Sequence, residues 1–546
     1  MNRLALALIA FCTTILSYAQ AQQERPKLVV GIIVDQMRQE YLYRFESKYG
    51  AGGFKRIINN GFQLKNAHYN YLPTETGPGH SSVFTGSTPS IHGIVANDWY
   101  DKTLKREVNC VDDYGNATGL DPSMSVVSPH RLLATTITDE LELSTQRRAK
   151  VVGVSIKARG AVLPVGHTPD GAYWYNERSG EFVTSTYYKA ALPVWAEEFN
   201  KLRWPDKLLA SDWKPLLPIE QYTESGPDDA PYERKLNGKD RPVFPYPLKD
   251  AKGKPVYSLL PESPFGNDLI AEFAKAALIG EEMGKDGVTD FLTISFSGTD
   301  GVGHSTGPNS KETEDTYLRL DKTLEDLLNT LDKEVGKDMY TLFLTSDHGV
   351  MDSPNYLKDL RIPAGSFNTR AVTADVNNFL KNYFPGKTIV REVNGEQVYI
   401  NHEVFSQDPT SSGVELLVAI ELITKYLLTV DGIASVYPES VLRQAAYDEA
   451  GIKGKVIRGF YSKRAGDIAI VLEPGWIAGY STAGAGHGAG YTYDTHVPVL
   501  FYGAGIKKGS SSAYHPITDI APTLSVLLKI KFPSGCTGQP ITEIVD

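Results

Sequence analysis

Five apolar stretches recur along the chain, and most of them lead into a polar or charged residue. They span residues 28–34, 151–156, 291–296, 340–344 and 497–502. Near-continuous apolar strands of this kind are typical of a sheet that is covered on both faces. Because helical patterns lie between these stretches, the sequence predicts an α/β fold built on a doubly wound, largely parallel sheet.

The clearest helical pattern is a stripe of leucines at positions 320, 324, 327, 328 and 331. Apolar residues at this spacing predict a helix with one face in the core. Asn309 and Glu312 precede the stripe with the spacing of a capping box, which predicts that the helix begins there. Core packing explains the stripe without any function.

Two long segments interrupt the alternation of strands and helices, at about residues 168–265 and 371–464. The first is rich in Pro, Tyr, Trp and charged residues, and the second is mixed in character. We interpret both as insertions that form a rim or lid above the strand ends. The prediction is a single catalytic domain over residues 22–546 that carries these two insertions.

The first residues have the pattern of a signal peptide. Arg3 precedes an apolar run over residues 4–16, and the small residues Ala19 and Ala21 follow it. The run is shorter than the ~20 residues that a membrane span needs, so a retained anchor is the weaker alternative. We predict a cleaved signal peptide at residues 1–21 and a periplasmic or secreted protein without a stable membrane anchor.

Composition narrows the possible partners and metal ligands. The chain has 55 basic and 65 acidic side chains and a formal net charge of −10, which argues against a nucleic-acid partner. Its three cysteines are Cys12, Cys110 and Cys536, and signal cleavage would remove the first. The other two either pair or stay free, and they are too few for a cysteine zinc site. Any metal is therefore held by histidines and carboxylates.

Acidic residues and histidines gather where the predicted strands end, which is where ligands bind in such sheets. They are Asp35, Asp300, His304, Asp347 and His348, with His487 in a Gly-rich loop. Six ligands are enough for two metals with three protein ligands each and an open position on each metal. Imidazole favours Zn²⁺ over Mg²⁺, with Mn²⁺ as the second choice.

The alternative is that each histidine is an ordinary polar residue of a turn, and we apply that interpretation to the remaining eight histidines. Two of these eight, His80 and His496, could support the ligands.

The candidate nucleophile is Thr76, which lies in a Gly-rich segment that predicts a helix N-terminus. Unpaired N–H groups there favour an anionic phosphoryl group. Thr74, Ser81 and Ser82 are rival hydroxyls.

Lys157 and Arg159 follow a predicted strand at an i, i+2 spacing, so they would share one face and could hold a phosphoryl group. The alternative is a solvated pair of cations.

Taken together, these motifs resemble the alkaline phosphatase superfamily, and within it the PafA-type periplasmic alkaline phosphatases. The distinctive stretches are residues 34–37, residues 93–100 with Asn97, the Asp-His-Gly of residues 347–349, and residues 518–523. The resemblance implies two Zn²⁺ ions per chain. It assigns Asp300, His304 and His487 to the first zinc, and Asp35, Asp347 and His348, together with the nucleophile Thr76, to the second. It also assigns Asn97, Lys157 and Arg159 to the phosphoryl oxygens.

The function predicted from the sequence is hydrolysis of small phosphate monoesters through a phosphothreonine, by an exported monomer. A phosphodiesterase or nucleotide pyrophosphatase on the same scaffold is the nearest alternative. A sulfatase is disfavoured because no Cys/Ser-x-Pro-x-Arg segment is present, and a phosphoglycerate mutase is disfavoured by the export signal. A non-catalytic metal-binding surface protein is the alternative from another class.

Overall fold

The computed structural model of the chain describes residues 25–113, 126–405, 409–479 and 483–544. The predicted signal peptide lies outside these residues. Within the described ranges, no helix is both long enough and apolar enough to cross a membrane.

The strands of the described residues are numbered in chain order. They are β1 (Leu28–Val34), β2 (Phe62–Leu64), β3 (Ala67–His68), β4 (Asp98–Asp101), β5 (Arg106–Asn109), β6 (Val151–Ser155), β7 (Gly171–Asn176), β8 (Glu181–Val183), β9 (Asp290–Phe296), β10 (Tyr340–Thr345), β11 (Gly365–Phe367), β12 (Val390–Asn394), β13 (Gln397–Ile400), β14 (Ile433–Pro438), β15 (Ile468–Leu472), β16 (Trp476–Ala478), β17 (Val499–Gly503), β18 (Gly509–Ser511) and β19 (His515–Pro516).

The α-helices are numbered in the same way. They are α1 (Tyr41–Arg44), α2 (Phe54–Asn60), α3 (Thr76–Thr85), α4 (Pro89–His92), α5 (Ile137–Thr145), α6 (Ala158–Val165), α7 (Val194–Lys201), α8 (Trp204–Leu208), α9 (Phe265–Gly280), α10 (Gly298–Thr306), α11 (Lys311–Leu331), α12 (Pro354–Asp359), α13 (Thr369–Leu380), α14 (Pro409–Leu427), α15 (Glu439–Gln444), α16 (Gly451–Gly459), α17 (Thr492–Thr495) and α18 (Ile520–Leu528).

The main sheet has the strand order β18-β2-β17-β10-β1-β9-β6-β7-β8. Its central strands, from β10 to β7, are parallel to one another. Strand β17 runs antiparallel to β10, and β8 runs antiparallel to β7. The predicted α/β class and largely parallel sheet are therefore confirmed. The stretch at 497–502 forms the antiparallel strand β17.

Strand β1 shows why the predicted strands are apolar along their whole length. Leu28 and Val30 pack into the core on one face of the sheet, whereas Val29 and Ile33 pack into the core on the other. Helices α9 and α11 cover the first face, and α3, α6 and α18 cover the second. A strand that is buried on both faces is therefore largely apolar until it ends.

A smaller sheet with the order β12-β13-β15-β14 lies largely within the second predicted insertion, and its strand β15 lies beyond the predicted end at about residue 464. Helices α13 and α14 pack on this sheet and share a separate hydrophobic core with it. The pairing of β11 with β16 joins the beginning of this unit to its end.

The first predicted insertion starts with β7 and β8, which extend the main sheet. The rest is largely irregular and is fixed to helix α11 by buried hydrogen bonds. Trp213 Nε1 donates to Asp315 Oδ2 at 2.8 Å, and Tyr246 OH donates to Glu312 Oε1 at 2.6 Å.

Two local predictions are wrong. Helix α11 is capped by Ser310, whose hydroxyl accepts from the Thr313 N–H at 3.0 Å, and not by Asn309. Strand β6 ends at Ser155, so Lys157 is the N-cap of α6 and Arg159 lies in its first turn. An i, i+2 pair at a helix start does not share a face as it would on a strand.

We expect Leu324→Ala to destabilise the fold because the side chain of Leu324, on the core-facing side of α11, is fully buried. Removing such a side chain typically costs about 2–5 kcal/mol through lost transfer energy and a residual cavity. The matched control is Leu143→Ala, because Leu143 is 61% exposed. Thermal unfolding of both variants checks the expectation, and equal shifts in Tm would contradict the assignment of the leucine stripe to the core.

Candidate active site

Three carboxylates lie at the carboxyl ends of three neighbouring strands. Asp35 directly follows β1, Asp347 follows β10, and Asp300 lies in the first turn of α10 after β9. Because β9, β1 and β10 are adjacent, the sheet order alone brings the three acids together. All three are at most 4% exposed.

The three histidines of the predicted set are oriented alike. The Nδ1 atoms of His304, His348 and His487 lie 2.8–2.9 Å from backbone carbonyls of Ala485, Gly349 and Thr74. A carbonyl can only accept, so Nδ1 carries the proton in each neutral ring and the Nε2 lone pair remains for another partner.

Each free Nε2 faces a carboxylate. His304 Nε2 lies 3.2 Å from Asp300 Oδ1, and His487 Nε2 lies 3.8 Å from the same atom. His348 Nε2 lies 3.5 Å from Asp35 Oδ1. The rings of His348 and His487 also stack, with centroids 3.5 Å apart.

Three of these buried atoms have no hydrogen-bond partner among the residues that the structure describes. They are Asp35 Oδ1, Asp347 Oδ2 and His348 Nε2. His80 Nδ1 lies 3.3 Å from Asp347 Oδ2, but it makes its hydrogen bond to the Thr76 carbonyl at 2.9 Å. An orphaned buried carboxylate oxygen is costly unless a cation or donor satisfies it. The donor set therefore fits a divalent metal.

Two sets of ligand atoms within the described residues lie close enough to hold a metal ion. One consists of Asp300, His304 and His487, and the other of Asp35, Asp300 and His348. The first set coincides with the trio predicted for one metal. In the second, Asp300 stands where Asp347 was predicted, and Asp347 Oδ2 lies 3.8 Å from His348 Nε2.

Lys157 provides the positive charge among the acids. Its Nζ lies 2.7 Å from Asp35 Oδ2 and 2.6 Å from Asp300 Oδ2. Burial alone would lower the pKa of Lys157, but these two carboxylates raise it above its usual value. Burial and then the repulsion from Asp300 and Asp347 raise the pKa of Asp35.

The pKa values of the other two aspartates, Asp300 and Asp347, shift in the opposite direction. Burial opposes ionisation of Asp300 and Asp347, but neighbouring histidines and Lys157 outweigh it and hold the pKa of both below the usual value. Burial and the neighbouring His348 and His304 lower the pKa of His487. The site therefore keeps two carboxylates charged and His487 neutral, as metal ligation requires.

Thr76 is the first residue of α3 and its side chain is buried. Its Oγ1 lies 3.5 Å from Lys157 Nζ, which connects the hydroxyl to the acidic cluster. Gly79, one turn along, allows α3 to approach β10, because a Cβ there would overlap the backbone carbonyl of Asp347.

The rival hydroxyls have other surroundings. Thr74 Oγ1 donates to Ala489 O at 2.9 Å, and Ser82 Oγ lies 2.9 Å from His92 Nε2. Ser81 is fully buried within α3, and its hydroxyl has no hydrogen-bond partner. Thr76 is therefore the candidate whose hydroxyl contacts a charged residue of the cluster, Lys157.

Asn97 and Arg159 lie beside the start of α3. Asn97 Oδ1 accepts from the Gly77 N–H at 2.7 Å, so the NH₂ group is the part of that side chain that can donate to a ligand. The Nε of Arg159 is buried and has no hydrogen-bond partner within the described ranges of the chain. These donors can bind an anion next to Thr76.

The sequence interpretation overlooked Gln36 and Glu75. Gln36 Nε2 donates to Asp300 Oδ1 at 2.7 Å, and Gln36 adopts a left-handed φ of 66°. The sequence signal available for Gln36 was its position directly after Asp35. The Glu75 side chain accepts from the Asn97 N–H at 2.5 Å, and burial raises its pKa to about 7.

Among the remaining histidines, His80 lies beside Asp347, and its Nε2 lies 2.9 Å from Ser295 Oγ. His496 is elsewhere, stacked on His68. Cys110 and Cys536 are both free thiols.

Comparison with known proteins gives concordant matches. The family described as type I phosphodiesterase / nucleotide pyrophosphatase matches residues 29–497. Alkaline phosphatase PafA of Elizabethkingia meningoseptica is 46% identical over 95% of both chains. Alkaline phosphatase PhoV of Synechococcus elongatus is 45% identical over 95% of this chain and 93% of its own.

A solved structure agrees with these matches. The crystal structure of wild-type alkaline phosphatase PafA aligns with a TM-score of 0.91 at 45% identity, covering 96% of this chain and 99% of the other. The resemblance predicted from the sequence motifs is confirmed. The chain therefore belongs to the type I phosphodiesterase / nucleotide pyrophosphatase family and, within it, to the PafA-type alkaline phosphatases, which makes it a phosphoric monoester hydrolase.

Proposed function

We propose that the protein is an exported, zinc-dependent phosphate monoesterase that acts on small phosphomonoesters through a phosphothreonine at Thr76. The observation that carries the proposal is the contact of the Thr76 hydroxyl with Lys157, which bridges two carboxylates of a cluster of three aspartates and three histidines. We also propose that residues 22–546 form one catalytic domain with insertions at about 168–265 and 371–464, and that the enzyme works as a monomer.

Two Zn²⁺ ions per chain fit this donor set. Asp300, His304 and His487 would hold the first, and Asp35, Asp347 and His348, together with Thr76, would hold the second. The orphaned atoms of Asp35, Asp347 and His348 support the second assignment. A set that is half imidazole favours Zn²⁺ over Mg²⁺. When bound, the metals would lower the pKa of a hydroxyl and of water and offset charge on oxygen.

The reaction then follows from the chain's own groups. Thr76 Oγ1 forms a bond to phosphorus while the bond from phosphorus to the alcohol oxygen breaks, and the alcohol leaves with a proton. Water then attacks phosphorus, which releases phosphate and returns the hydroxyl of Thr76. Asn97, Lys157 and Arg159 would bind the phosphoryl oxygens in both steps, since positioning and charge compensation dominate phosphoryl transfer.

The two cations Lys157 and Arg159, which we call the phosphoryl clamp, support a preference for monoesters over diesters. The phosphoryl group of a monoester carries about two negative charges at neutral pH, because its second pKa is near ~6. A diester carries one. Lys157 and Arg159 are therefore better matched to the monoester, although the name of the matched family keeps phosphodiester hydrolysis as the alternative to test.

His487→Ala is expected to lower both metal content and turnover, because it removes one of the three proposed ligands of the first zinc, which are Asp300, His304 and His487. His496→Ala is the matched control, since His496 lies away from the cluster. Metal analysis of the purified variants gives a readout that is independent of activity. Full zinc content in His487→Ala, or restoration of chelated enzyme by Mg²⁺ and not by Zn²⁺, would refute the assignment.

Thr76→Ala is expected to lose roughly 10³-fold or more in kcat, as removal of a nucleophile typically does. Thr76→Ser should keep appreciable activity because it retains a hydroxyl, and Thr74→Ala serves as the neighbouring control. Mass spectrometry after an acid quench should locate a phosphate adduct on Thr76. An adduct on Ser81 or Ser82 would show that another hydroxyl is the nucleophile.

Arg159→Ala should lower monoester kcat/KM more than diester kcat/KM. One charge-assisted hydrogen bond is worth about 1.5–3 kcal/mol, or roughly 10- to 150-fold in rate. The Lys157→Ala/Arg159→Ala double variant should lose about 10² to 10⁴ in the ratio of the two rates. Equal losses on a matched monoester and diester would favour the phosphodiesterase alternative. The single Arg159 variant is the cleaner test, because Lys157 also pairs with Asp35 and Asp300.

A further inference from the structure

A cavity of about 70 Å³ lies between the start of α3 and the small sheet of the second insertion. Glu75 and His487 line it on the catalytic side, and Asn394, Glu396 and Gln397 line it on the inserted side. Its apolar surface includes Phe460. This volume is enough for several water molecules, and so for a small organic group.

The cavity adjoins the site proposed for the reaction. Glu75 immediately precedes Thr76, and His487 Nε2 lies 3.8 Å from Asp300 Oδ1. A phosphoryl group bound at Thr76 would therefore lie next to this cavity, which has room for a small alcohol substituent. The remaining substituents of phosphorus are oxygens, which Asn97, Lys157 and Arg159 would bind.

The charge of the cavity is opposite to that of the phosphoryl clamp. Its ionisable lining includes the carboxyl groups of Glu75, Asp98 and Glu396. In the part of the chain that the structure describes, no lysine or arginine lines it. The cavity thus offers carboxyl groups, and no cationic side chain of the described residues, next to a site proposed to bind a dianion.

Glu396 is held in place by the inserted sheet. It lies in the tight turn between β12 and β13, and its carbonyl accepts from the Ile470 N–H at 2.7 Å. Burial raises the pKa of Glu396, and the nearby carboxyls of Glu75 and Asp494 raise it further. A positive charge in the cavity would offset this repulsion and favour the ionised carboxylate.

We propose that this cavity binds the leaving group of the phosphomonoester and selects leaving groups that carry an ammonium, with Glu396 as the specificity-determining residue. The inference rests on the proposed phosphatase function and adds the class of substrate: small aminoalkyl phosphates are preferred over neutral alkyl phosphates, and carboxyalkyl phosphates are disfavoured.

The test compares kcat/KM for three esters of similar size: 2-aminoethyl phosphate, propyl phosphate and carboxymethyl phosphate. The parent enzyme should favour them in that order. In Glu396→Gln, the ratio of aminoethyl to carboxymethyl phosphate should fall roughly tenfold or more, as expected for loss of one charged contact. Glu392→Gln is the matched control, since Glu392 lies on β12 of the same hairpin and is not part of the cavity lining.

Inhibition by free ethanolamine gives a second readout that does not depend on phosphoryl chemistry. Ethanolamine should inhibit propyl phosphate hydrolysis competitively in the parent and in Glu392→Gln, and about tenfold more weakly in Glu396→Gln. Thermal unfolding shows whether each variant is folded.

Equal rates on all three esters in the parent, or the same charge preference in both variants, would overturn the inference while leaving the phosphatase intact. Failure of the parent to hydrolyse propyl phosphate would instead refute the proposed function, and the inference with it.

Discussion

The constraint on which the site depends is the mutual repulsion of Asp35, Asp300 and Asp347 in a buried environment. Two unit charges about 4 Å apart interact by roughly 4 kcal/mol at an effective dielectric constant of 20. Such a cluster is stable only with cations among it. Lys157 supplies one by bridging Asp35 and Asp300. The histidine Nε2 atoms and the orphaned oxygens of Asp35 and Asp347 fit further positive charge in the form of metal.

The sheet makes this concentration of charge possible. Strands β9, β1 and β10 pair in parallel and in register, so the residues that follow them meet at one edge. The apolar cores on both faces fix the strands rigidly. Helix α3 then brings Thr76 to the same edge, with Gly79 allowing the close contact with Asp347. The carboxylates are therefore held by the packing of the whole main sheet.

The active-site region has two halves. In one, Asn97, Lys157 and Arg159, the groups proposed to bind the phosphoryl group, lie near the start of α3. In the other, the inserted sheet presents Glu396 to the adjoining cavity. Each half comes from a different part of the fold. The main sheet provides the groups proposed for chemistry, and the insertion provides the surface proposed for the leaving group. This arrangement would let the insertion vary without disturbing the buried ligands.

The sequence alone determined five strands of the main sheet, β1, β6, β9, β10 and β17, and most of the acids and histidines of the site. It did so because a strand buried on both faces has a largely apolar pattern that stops where the polar site begins. It also carried enough motif information to identify the family. Only the tertiary structure decided the details that depend on contacts between distant segments. The end of β6 at Ser155 placed Lys157 on a helix cap, and the position of Asp300 between His304, His487 and Asp35 set how the ligands group. Gln36, Glu75 and Glu396 gained their roles in the same way, because the neighbours of a side chain are fixed by packing across the sheet and not by its place in the chain.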